Sequence, residues 1–105
     1  MDYQVTVLDS AREDMRRLFD HLFARGLARD GGDLDYPDQA IDAIVASFSL
    51  LEKFPFTCRK SEDSTFLREL VIPVGHTGFV ALFEIVAADR VVISAIRHQR
   101  EDDYH

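Results

Sequence analysis

The 105 residues suffice for one domain, residues 1–105, and are too few for a second core; 47% hydrophobic and 30% charged residues exclude a disordered chain. Nineteen acidic against twelve basic residues leave a net charge of −7, so binding to a nucleic-acid backbone would need a local basic patch. No apolar run approaches the roughly 20 residues that span a bilayer, and neither a signal sequence nor a possible internal disulfide for the lone Cys58 is present, so a cytoplasmic, membrane-free protein is expected.

Tyr3 to Leu8 carries the β-branched and aromatic residues of a short strand. Ser10 and Glu13 have the spacing of a capping box, in which a serine oxygen takes a first-turn amide and a glutamate reaches back. Behind them Met15, Leu18, Phe19, Leu22 and Phe23 recur at helical spacing, predicting a helix that ends near Gly26. Residues 29–35 are polar and contain two glycines, the composition of a loop. Pro37 and Asp38 then suit a helix start, Ala40, Ile41, Ile44, Val45, Phe48 and Leu51 form its apolar face, and Pro55 ends it.

Two amphipathic helices with a short connection pack as a hairpin and need an apolar surface beneath them. Phe66 to Val74, Phe79 to Val86 and Val91 to Ile96 supply three strands, the first two joined by Gly75-His76-Thr77-Gly78. The expected fold is α+β, ordered β-α-α-β-β-β, with the helical hairpin across one face of a small, largely antiparallel sheet and the first strand at its edge. Met15, Leu18, Leu22, Ile41, Ile44, Val45, Phe48, Leu82 and Ile93 are expected in the core. Phe19, Phe23 and Leu50 exceed what one core needs and mark a partner surface.

Chemistry is harder to place. His21, His76, His98 and His105 lack zinc-ligand spacing, so no metal and no cofactor are expected. Cys58 beside Arg59 and Lys60 has no Cys-His signature and reads as a small packing residue. Gly75 to Gly78 lacks the lysine and following helix of a phosphate loop. Arg97, His98, Arg100 and Tyr104 could hold a phosphate and move a proton, or could belong to a solvated terminus whose bases pair with Glu101, Asp102 and Asp103.

Along essentially its whole length the chain resembles the RelE/ParE toxin superfamily of bacterial toxin–antitoxin systems. The resemblance rests on the element order, the Leu67-Arg68-Glu69-Leu70 strand that follows a Phe-Pro, the Gly78-Phe79-Val80-Ala81-Leu82-Phe83-Glu84-Ile85 strand, and the closing run from Ile93 to Glu101. It implies one of two activities. RelE-like members cleave messenger RNA on the ribosome with a set of basic residues and a C-terminal tyrosine or histidine; ParE-like members poison DNA gyrase and lack the complete set. A strand arginine of the nucleases falls at Val80 here, while His98, Arg100 and Tyr104 match their tail positions. Since phosphodiester cleavage needs dense positive charge, Val80 and the −7 net charge favour the ParE-like branch.

The resemblance therefore implies a toxin that inhibits gyrase by binding and is neutralised by a cognate antitoxin in a hetero-oligomer. Arg68, Arg97, His98 and Arg100 would contact the target, with Arg68 alternatively a strand arginine paired to Glu69 or Glu84. Phe19, Phe23 and Leu50 would contact the antitoxin. The alternatives are a ribosome-dependent endoribonuclease acting on messenger RNA through Arg68, His98, Arg100 and Tyr104, and an inactive member that only binds antitoxin.

Overall fold

The computed structural model describes residues 2–28, 36–62, 64–74 and 77–98. In chain order these form β1 (Gln4–Val7), α1 (Asp9–Ala28), α2 (Tyr36–Lys53), a 3₁₀ turn (Pro55–Thr57), β2 (Arg59–Lys60), β3 (Arg68–Val74), β4 (Thr77–Ala87) and β5 (Arg90–His98). The strands make one sheet in the order β1-β5-β4-β3-β2, antiparallel except where β1 runs parallel to β5. The helices pack on each other and on one face of the sheet, α1 along β5 and α2 reaching both β1 and β3. This is the expected α+β architecture with one addition, the two-residue strand β2, which was too short to carry a period.

Strand alternation sets the core. Phe79, Ala81 and Phe83 of β4 face the helices together with Leu70 and Ile72 of β3 and Val91, Ile93 and Ile96 of β5, all in one buried cluster with Ala11, Leu22, Ala40, Ile44, Phe48 and Leu51. Ile93 and Ile96 stand three apart, which a regular strand would send to opposite faces. The register resolves this: Phe83 pairs with Ile93 and Leu82 with Ala95, so Ser94 is an extra, bulged residue that resets the alternation. Every residue from Ala95 to His98 takes its face from that bulge.

Expected core positions are mostly inside. Leu22, Ile44, Phe48, Leu82 and Ile93 are buried, and Met15, Leu18 and Ile41 pack half-buried against the cluster. Leu82 lies on the sheet face away from the helices, so it belongs to a different layer from Ile93. Val45 is a correction. It is 52% exposed, because the stripe Pro37, Ala40, Ile44, Phe48, Leu51 already fills the inner face and Val45 sits about 100° round the helix from Ile44.

Three local expectations also change. The capping box does not form: α1 begins at Asp9, so Ser10 lies inside the helix and donates its hydroxyl to the Ser94 carbonyl at 2.7 Å, while Glu13 pairs with Arg16. Gly26 does not end α1, which runs on to Ala28; one interior glycine costs only about 1 kcal/mol against alanine. Thr77 and Gly78 belong to β4, with Val74 opposite Thr77, leaving a two-residue connection in place of the four residues expected. That connection, Gly75 and His76, lies outside the described residues.

Candidate functional site

The sheet determines which basic residues can act together. Arg68 opens β3 opposite Phe83, and Arg97 and His98 close β5 opposite Val80 and Phe79. Four residues along β4 and two strand spacings separate Arg68 from His98, about 16 Å between backbones. Arg68 shares the helix-facing side with Leu70 and Ile72, whereas Arg97, paired with Val80, takes the other side.

Each arginine has a distinct environment. Arg68 Nη1 donates to the carbonyls of Cys58 at 2.8 Å and Phe56 at 3.2 Å, tying the 3₁₀ turn to the sheet. The expected alternative partner, Glu69, is taken instead by Arg59 at 2.8 Å across the β2–β3 pair. Arg16 bonds Glu13 and Asp20, and Arg17 bonds Asp14 at 2.5 Å. His98 packs edge-on against Phe79 with ring centroids 5.4 Å apart. Val80 is only 1% exposed.

Cys58 is half-buried against the core, and burial pushes its thiol pKa up while the Arg68 charge opposes the rise. A raised pKa leaves little thiolate, so the residue packs rather than attacks. Among the described residues no three His, Cys, Asp or Glu side chains converge as a metal site, and no helix is long and apolar enough to cross a membrane. Arg100 and Tyr104, expected at the target or nuclease site, lie outside the described residues, as do His76 and His105.

A feature absent from the sequence reading lies where β1 ends. β1 covers β5 only as far as Ile93, whose carbonyl accepts from Leu8 N–H at 2.9 Å. Beyond it, side chains of α1 stand in for the missing strand: Ser10 satisfies the Ser94 carbonyl and Asp14 Oδ2 accepts the Ile96 N–H at 3.0 Å. Next to these bonds lies an open cleft of about 510 Å³ lined by Asp14, Arg17, Leu18, His21, Ala95, Ile96 and Arg97. A helical spacing of three and four joins Asp14, Arg17, Leu18 and His21, but nothing in sequence announces that this stripe meets the end of β5.

The apolar residues expected at a partner surface are on the hairpin's outer side in two cases. Leu50 is 54% exposed and Phe23 is exposed, while Phe19 is half-buried and stacks on Phe23 at 6.1 Å between ring centroids. Val45 and Phe54 add further exposed apolar surface to α2 and its end.

Known proteins place this arrangement. The family model described as ParE toxin of type II toxin-antitoxin system, parDE, matches residues 5–103. No curated protein matches the chain. Among solved structures, a chain of the chromosomal ParDE TA system from P. aeruginosa has the same fold, with a TM-score of 0.69 at 15% identity over 91% of this chain and 95% of that one. The two-helix, five-stranded architecture and the family match over nearly the whole length agree, and the chain belongs to the ParE toxin family of type II toxin–antitoxin systems.

Proposed function

We propose that the protein is a toxin that inhibits DNA gyrase by binding it and is neutralised in the cytoplasm by a cognate antitoxin. The observation that carries this reading against a nuclease is the separation of the basic residues: Arg68 and His98 stand about 16 Å apart along the sheet, and Arg68 already donates to the Phe56 and Cys58 carbonyls. Cleavage of a phosphodiester needs its base, acid and positive charges around one phosphorus. Val80, on the opposite face of the sheet with Arg97, is buried and adds no charge.

Arg97 and His98, adjacent at the end of β5, and Arg100 just beyond are assigned to the target surface, and Arg68 to anchoring the 3₁₀ turn. The antitoxin takes the outer side of the hairpin, where Phe23, Leu50 and the half-buried Phe19 offer apolar anchors to a segment that folds on contact. Purified protein is expected to block gyrase-driven supercoiling and leave ribosome-bound messenger RNA intact. Robust cleavage by the wild type, abolished in His98→Ala with folding preserved, would establish the ribonuclease instead. The cognate antitoxin should raise the melting temperature by linkage, and no shift at saturating antitoxin would remove the antitoxin from the scheme.

A further inference from the structure

We infer that the corner formed by the 3₁₀ turn, β2 and the start of β3 is a contact surface for a second copy of this chain, giving a weak two-fold dimer through Phe56 and Phe66. The inference is independent of which target the toxin inhibits. Its first support is exposed apolar surface: Phe54, Phe56 and Phe66 are 54%, 56% and 74% exposed. At roughly 200 Å² for a whole side chain these fractions leave about 370 Å² of aromatic surface in water, close to half of the roughly 800 Å² that each partner of a standard interface buries. The exposed side chains of Thr57, Lys60, Glu62 and Thr65 supply a polar rim. The corner is also set in place before any partner arrives. Pro55 takes the buried position between the two outward phenylalanines, Arg68 holds the Phe56 and Cys58 carbonyls, and the Ser61 N–H donates to the Leu67 carbonyl at 2.8 Å.

Charge selects the occupant. From Glu52 to Glu69 four basic and four acidic residues cancel, so the rest of the chain carries the whole −7. A polyanion gains nothing from a neutral corner and is repelled by the acidic remainder. Two copies of this chain repel each other in the same way, and a neutral corner is where they can approach. Interspersed charges of both signs also make the corner complementary to itself under two-fold rotation, which sets the exposed Lys60 of one copy against the exposed Glu62 of the other. β2 offers only two residues, so side chains make the contact and the strands do not pair.

The test is sedimentation equilibrium of the full chain from micromolar to millimolar concentration. The weight-average mass is expected to rise towards twice that of one chain, and Phe66→Ser to weaken the association by roughly tenfold or more. Leu8→Ser, an exposed apolar position at the opposite edge of the sheet, should leave it unchanged, and circular dichroism establishes that each variant is folded. Lys60→Glu and Glu62→Lys should each weaken self-association by roughly threefold or more, and an equimolar mixture of the two should recover it, because opposite charges then meet across the axis. The inference is overturned if the chain stays monomeric at millimolar concentration, if Phe66→Ser associates as well as the wild type, or if the mixture does no better than its components. It is equally overturned if oligothymidylate or phosphatidylglycerol vesicles bind the wild type and lose affinity in Phe66→Ser, which would give the corner to nucleic acid or to membrane.

Discussion

β4 and the segment around β2 are next-but-one neighbours in a single sheet, yet their chemistry is opposite. From Phe79 to Phe83 every residue of β4 is buried, with Phe79, Ala81 and Phe83 against the helices and Val80 and Leu82 on the other face. β2 is two exposed basic residues, Arg59 and Lys60, flanked by exposed aromatics at Phe54, Phe56 and Phe66, the last 74% exposed. A central strand must be apolar on the face that the helices cover, because packing there excludes water from it. An edge strand that is short and charged resists pairing with a stray chain. Aromatic residues therefore carry opposite meanings in the two regions: stability in β4, and surface in the β2 segment.

Breaking the comparison at its centre should have the largest effect. Phe83→Ala is expected to cost about 3–5 kcal/mol by lost burial and a cavity, whereas Phe66→Ser should change stability by less than about 0.5 kcal/mol; urea denaturation of both variants measures the contrast. Equal destabilisation by the two would mean that the β2 segment belongs to the core. Next in size is the α1–β5 junction. Asp14→Ala leaves the part-buried Ile96 N–H without its acceptor and should cost about 1–3 kcal/mol, with faster hydrogen exchange at Ile96. Unchanged protection at that amide would show that the bond contributes nothing.

Arg68→Met tests the anchor between the two regions. Losing its bonds to the Phe56 and Cys58 carbonyls should cost about 1–2 kcal/mol, and gyrase inhibition by the folded variant should persist. Inhibition lost with stability retained would return Arg68 to the target surface. The smallest expected effect is at the surface of α1. Hydrogen bonding from Arg16 holds the fully exposed Glu13 carboxyl below the usual glutamate range, so the pair favours the folded state above the unfolded pKa and that contribution disappears as pH falls through the folded one. Carboxyl chemical shifts across an acid titration should show Arg16→Ala returning Glu13 towards the ordinary value, with little change in melting temperature.

The fold was largely legible because its signals are local and redundant. The stripes Ala11, Met15, Leu18, Leu22 and Ala40, Ile44, Phe48, Leu51 each repeat at helical spacing, and β3 to β5 are long apolar runs separated by turn residues. Val45 was misplaced because a stripe's width depends on how much inner surface its neighbours fill. Ser10 and Glu13 have the spacing of a cap, but an acceptor 84 residues away at Ser94 took the hydroxyl. The site was less legible than the fold. Arg68, Arg97 and His98 read as one basic set in sequence, and strand register alone separates them.

The amino-acid sequence by itself determined the number, type and order of the main elements, the apolar faces they bury and the superfamily they resemble, since each follows from periodicity and turn chemistry within a few residues. Tertiary structure alone decided that the pairing of β1 with β5 stops at Ile93, that the Ser94 bulge sets which face Arg97 takes and which His98 takes, and that Asp14, Arg17 and His21 meet the end of β5 to form a cleft. These depend on which backbone groups remain unpaired once the sheet has closed, a property of contacts some 80 residues apart that no local pattern encodes.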